Sequence, residues 1–112
     1  MFVITQSSSY KWSVKVKVPV DGGRFDEQTF DAVFKRLPQS RIEEMRNSVS
    51  GDEYSPKAIA HEIVVGWSGV QDAAGDVPFS EDALRTVLEL PGVAASIVIA
   101  FFDSINGISR KN

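Results

Sequence analysis

The side chains able to do acid–base, nucleophilic or metal chemistry are few in this 112-residue chain, and their spacing is poor. His61 is the single histidine and cysteine is absent, which excludes thiolate nucleophiles, disulfides, a His-rich zinc site and a pair of histidines sharing a proton. The acids Glu43-Glu44 and Glu81-Asp82 are adjacent in sequence. On a helix such neighbours diverge by about 100°, so neither couple turns two carboxylates toward one substrate. The serines occupy turn-type and cap-type positions, no G-x-S-x-G is present, and the glycines form no phosphate-cradling loop. Asp72-Ala73-Ala74-Gly75-Asp76 has some flavour of a cation loop but lacks regularly spaced oxygen ligands and a distal bidentate Glu, so it reads as an Asp/Gly turn. His61, without a second ligand at metal spacing, reads as a structural or surface residue. The expectation is a protein that is not an enzyme and uses no cofactor and no metal.

Composition narrows the class further. Hydrophobic residues make up 43% and charged residues 24% of the chain, a globular balance, and the length suits one domain spanning residues 1–112. A net charge of -3 argues against holding phosphate backbones by bulk electrostatics, so no nucleic-acid partner is expected. The longest apolar run, residues 97–102, is far shorter than the ~20 residues that span a bilayer, and the opening MFVITQSSSY has no basic region ahead of an apolar one. A soluble intracellular protein without a membrane partner is the expectation. The charge is also unevenly spread: Lys11, Lys15, Lys17 and Arg24 face only Asp21 in the first 24 residues, whereas the middle of the chain is acidic. Such asymmetry would steer copies of the chain against one another.

These residues must be carried by elements that the patterning identifies. Residues 11–18, K-W-S-V-K-V-K-V, alternate strictly, which predicts a half-buried strand with Trp12, Val14, Val16 and Val18 on one face and the lysines on the other. A lysine ladder of this kind protects an exposed sheet edge from pairing with other chains. Phe2 to Thr5 is its expected antiparallel mate, and Pro19 with Asp21-Gly22-Gly23 is expected to stop the pairing. From Asp26 the spacing of Phe30, Val33, Phe34 and Leu37 predicts a helix ended by Pro38. Ser40 with Glu43 forms the pattern of a capping box for a second helix through Ile42, Met45 and Val49. Ser55-Pro56 starts a third, which carries Ile59, Ile63 and Val64. Ser80 caps a fourth with Leu84, Val87 and Leu88, broken by Pro91-Gly92, and the last helix spans about residues 93–106. The predicted fold class is therefore mostly α with a small N-terminal β-hairpin (α+β): about five short helices in one domain, with a hairpin region at 1–24, a helical region at 25–107 and a flexible tail at 108–112.

The order of several motifs points further. Glu62-Ile63-Val64-Val65-Gly66-Trp67-Ser68-Gly69-Val70 is followed by the turn acids and glycine Asp72 and Gly75, then by Val77-Pro78-Phe79-Ser80-Glu81, a Leu88-to-Pro91 helix end, a small-apolar helix and a basic tail. With Leu37-Pro38-Gln39-Ser40-Arg41-Ile42-Glu43-Glu44, this resembles the tail assembly chaperones of long-tailed (siphovirus-type) bacteriophages over nearly the whole chain. Read from the residues alone, Gly66 allows close backbone approach, Trp67 is a large core or interface anchor and Ser80 is a helix cap, all structural roles.

The resemblance implies a non-enzymatic chaperone that binds the long, aggregation-prone tape measure protein, promotes assembly of the tail tube, works in the host cell cytoplasm and is absent from the mature virion. It also implies a longer form made by ribosomal frameshifting near the C-terminus, whose extension contacts the tail tube protein. Lys111-Asn112 is codable by an adenine-rich slip site. The alternatives are a virion structural component such as a head–tail joining protein, and a regulatory protein-binding module. Partner-binding candidates are Phe101, Phe102 and Ile105 on the last helix, with Lys15 and Lys17 on the basic strand. Because adjacent helical positions diverge, one of the two phenylalanine rings is expected to pack inward and the other to be offered to a partner, unless both fit one broad buried face. Apolar helix surface, aided by the charge asymmetry, is expected to make the chain a homo-oligomer.

Overall fold

A computed structural model describes residues 1–51 and 54–107. The order of elements is β1 (Ser9–Val20), β2 (Arg24–Lys35), α1 (Gln39–Val49), α2 (Pro56–Ile63), β3 (Val64–Ser68), β4 (Gln71–Asp72), β5 (Gly75–Asp76), α3 (Glu81–Leu88) and α4 (Val93–Ile105). Among the described residues there are thus four helices and five strands, in a three-stranded sheet of order β1-β2-β3 and a small β4-β5 hairpin. The domain is α+β, which corrects the expectation of a mostly α fold with about five helices. The expected tail at 108–112 lies outside the described residues.

The correction comes from residues 26–37. They form no helix; β2 pairs antiparallel with β1 along its full length, Val14 opposite Phe30, Trp12 opposite Ala32 and Tyr10 opposite Phe34. Phe30, Ala32 and Phe34 also recur every second residue, and a strand places all three on the face that already carries Trp12, Val14 and Val16. A helix in the same segment would leave the β1 ladder without a partner. The hairpin therefore runs from Ser9 to Lys35, and residues 2–5 are not its second strand. Pro19 does not stop it either. It sits opposite Phe25 on an edge strand, where a missing N–H is tolerated, and the chain turns at Asp21 to Gly23 with positive φ of 86° at Gly22 and 73° at Gly23.

β2 pairs with β3 only from Asp31 to Phe34, in a ladder that skips Val65 as a bulge residue. Beyond that short ladder the hairpin continues as a two-stranded arm. The lysine ladder of β1 lies on an edge strand, as its pattern suggests.

The core forms where α4 crosses the inner face of the sheet. Phe34 and Phe101 are both fully buried, their rings edge to face at 5.4 Å and 84°, a contact worth about 0.5–1.5 kcal/mol beyond simple burial. Val14, Ile63, Val64, Leu84, Ile97 and Met45 are the other large side chains fully buried in this interior. α1 enters two residues before the expected box: Arg41 and Ile42 donate their N–H groups to the Pro38 carbonyl at 3.0 and 3.2 Å, Ser40 lies inside the first turn, and no side chain caps the helix. α2 and α3 do begin as their sequences indicate, with Ala58 N–H donating to Ser55 Oγ at 3.2 Å and Ala83 N–H to Ser80 Oγ at 3.0 Å. Each cap contributes about 1 kcal/mol.

Candidate functional site

Trp67 is positioned by the α2-to-β3 transition, where the helix ends at Ile63 and the strand begins at the next residue. Opposite Ala32 it turns inward, edge-on to Phe30 at 6.5 Å and to Phe79 at 5.0 Å. Its Nε1–H donates to the Val77 carbonyl at 2.8 Å, and Val77 N–H in turn donates to the Val70 carbonyl at 2.8 Å. The indole thereby closes the loop that contains the β4-β5 hairpin. Gly66 opposes Val33, and a Cβ there would stand 3.4 Å from the Val33 side chain. Its role is cross-strand space between β2 and β3.

The Asp72 segment is a hairpin turn: Asp72 Oδ1 accepts from Ala74 N–H at 2.8 Å, Gln71 Nε2 donates to Asp76 Oδ1 at 2.9 Å, and Gly75 takes a positive φ of 122°. Those oxygens serve the turn. Among the described residues no three His, Asp or Glu side chains converge as metal ligands. His61 is half-buried, its Nδ1 3.7 Å from the Glu81 carboxylate.

The strongest electrostatic feature ties α1 to α2. Arg41 Nε and Nη2 donate to the two Glu62 oxygens at 2.7 and 2.6 Å, and Arg41 Nη1 donates to Glu44 at 3.1 Å. Hydrogen bonding to Arg41 holds the Glu62 carboxyl below the usual range against the opposing pull of burial, while the Arg41 guanidinium is held more firmly protonated, chiefly by Glu62. A paired carboxylate held charged in this way is a brace between helices.

The partner-binding candidates are dispersed. Phe101 is fully buried against Phe34, whereas Phe102 is half-buried with the Arg46 guanidinium 5.6 Å from its ring, and Ile105 is half-buried nearby. Lys17 is exposed opposite Glu27 on the arm's outer face; Lys15, half-buried, borders a cleft of about 260 Å³ between the β1 edge and α4, which Asp103 also lines. These residues do not converge on one surface.

Two features of the arm were not identified from sequence. At its tip Phe25 is 64% and Val20 45% exposed. Between its inner face and the α3–α4 corner lies an apolar cleft of about 420 Å³, walled by Val16, Val18, Phe30, Val87, Leu90 and Val93. Leu90, apolar yet next to the helix-breaking Pro91-Gly92, is the one sequence signal that would have pointed to it. No single helix among the described residues is long and apolar enough to cross a membrane. Comparison with protein-family models, with curated proteins and with solved structures finds no match.

Proposed function

We propose that this protein is a non-enzymatic tail assembly chaperone of long-tailed phage type, which binds the tape measure protein, self-associates and promotes assembly of the tail tube in the host cytoplasm without entering the virion. The observation that carries the reading is the arm itself: a two-stranded hairpin reaching past the β3 ladder with Phe25 and Val20 held in solvent at its tip. Apolar anchors on a projecting element suit capture of another chain's apolar surface. The ordered Gly66-Trp67, Asp72-Gly75 and Phe79-Ser80 motifs support the same reading through their resemblance to that family. Phe102 and Ile105 are secondary contacts in this proposal, with Phe101 as the buried support beneath them, and Lys15 and Lys17 orient the encounter. Contact with the tail tube protein belongs to a longer frameshifted form.

The test is an anisotropy titration against overlapping fragments of the tape measure protein encoded in the same genome. The native chain is expected to bind at least one fragment, and Phe25→Asp to weaken that binding at least tenfold with an unchanged melting temperature. Absence of binding to every fragment, or a fixed copy number of this chain in purified virions, would refute the reading.

A further inference from the structure

Residues 1–7 precede β1 outside any helix or strand, and no main-chain hydrogen bond joins them to the rest of the described chain. They nevertheless begin with four apolar side chains: Met1, Phe2, Val3 and Ile4 are 116%, 86%, 50% and 88% exposed. An apolar run this exposed costs free energy in water unless something covers it. The same molecule offers the apolar cleft under the arm, about 420 Å³ of open space with Val18, Val87 and Leu90 in its walls.

The two features lie at opposite ends of β1. The chain is held at Ser8, whose carbonyl accepts from Arg36 N–H at 3.0 Å. From Ser9 the strand must run seven residues, about 23 Å, to reach Val16 at the near wall of the cleft, and roughly 30 Å to reach Val18. Ile4 is five residues before Ser9, so even a fully extended chain brings it back no more than about 18 Å. Met1 and Phe2, eight and seven residues before Ser9, reach about 28 and 25 Å at full stretch and so touch only the near wall at Val16, while Val3 and Ile4 fall short of it; a molecule therefore cannot seat the whole of residues 1–4 in its own cleft, although a neighbour's cleft is open to them.

We propose that residues 1–4 of one copy seat in the arm cleft of the next. The contact joins unlike surfaces, so repeating it builds a head-to-tail ring or chain rather than a twofold dimer. This rests on the self-association in the reading above and gives it a site, while capture of the tape measure protein stays with the arm tip.

The test uses two variants of the full chain at positions whose exposure spares the fold: Phe2→Asp with Ile4→Asp, which spoils the inserted segment, and Leu90→Asp, 57% exposed in the native chain, which spoils the cleft. In sedimentation velocity the native protein should gain mass with concentration, and each variant alone should remain monomeric over the same range. An equimolar mixture of the two retains one intact segment and one intact cleft, and should stop at a dimer. Because the chain has no cysteine, Ile4→Cys in one copy and Leu90→Cys in another provide a second reading, an oxidised heterodimer that forms only in trans. Variants that assemble like the native chain, or a mixture that yields neither dimer nor cross-link, would overturn the seat while leaving self-association standing. A native chain that stays monomeric at every concentration removes both. Loss of fragment binding in the Phe25→Asp titration bears on the client reading alone.

Discussion

The indole N–H of Trp67 donates to the Val77 carbonyl across ten residues, at 2.8 Å, and so fastens the loop between β3 and α3 to the sheet. Trp67→Phe keeps a ring between Phe30 and Phe79 but leaves that carbonyl without its donor. For a half-buried bond the expected loss is about 1 kcal/mol, seen as a melting-temperature drop of roughly 4–6 °C, whereas Trp67→Ala should cost about 3–5 kcal/mol. An unchanged melting temperature in Trp67→Phe would show that the bond contributes nothing net.

Acid sensitivity should trace to the Arg41–Glu62 brace. Glu62 titrates below its ordinary range in the folded state, so its contribution is complete above the unfolded carboxyl pKa of about 4.3 and disappears as pH falls through the lower folded value. Chemical denaturation of the native chain at pH 7 and at pH 3 should differ more than the same pair of measurements on Glu62→Gln. Equal differences in the two proteins would place the acid sensitivity elsewhere.

The adjacent rings of α4 should separate in mutagenesis. Phe101→Ala empties the space against Phe34 and is expected to cost about 3–5 kcal/mol. Phe102→Ala, at a half-buried position beneath Arg46, should cost about 1 kcal/mol while weakening fragment capture in the anisotropy titration. Equal losses of stability would make both rings core, and intact capture by Phe102→Ala would remove that residue from the client surface.

Local chemistry made some elements legible from sequence. The alternation at residues 11–18 marks a strand with one apolar face, and Ser55-Pro56, Ser80 and Pro91-Gly92 start or stop helices through hydrogen bonds and φ preferences contained within a few residues. Residues 26–37 were different, because Phe30, Val33 and Phe34 satisfy the helical period while Phe30, Ala32 and Phe34 satisfy the strand period. Only the apolar face of β1, whose Val14, Trp12 and Tyr10 lie sixteen to twenty-four residues away from their partners Phe30, Ala32 and Phe34, selects between them. Ser40 and Glu43 had the residues of a capping box, but the helix entered two residues earlier, on the Pro38 carbonyl, which placed Ser40 within the first turn. The scarcity of catalytic side chains and the Gly66-Trp67 motif can be read along the chain. The arm, its exposed Phe25, and the cleft under Val18 and Leu90 cannot, since each depends on how far β2 outruns β3 and on where the α3–α4 corner falls against the hairpin. Those are distances between segments remote in sequence, and they are set by packing.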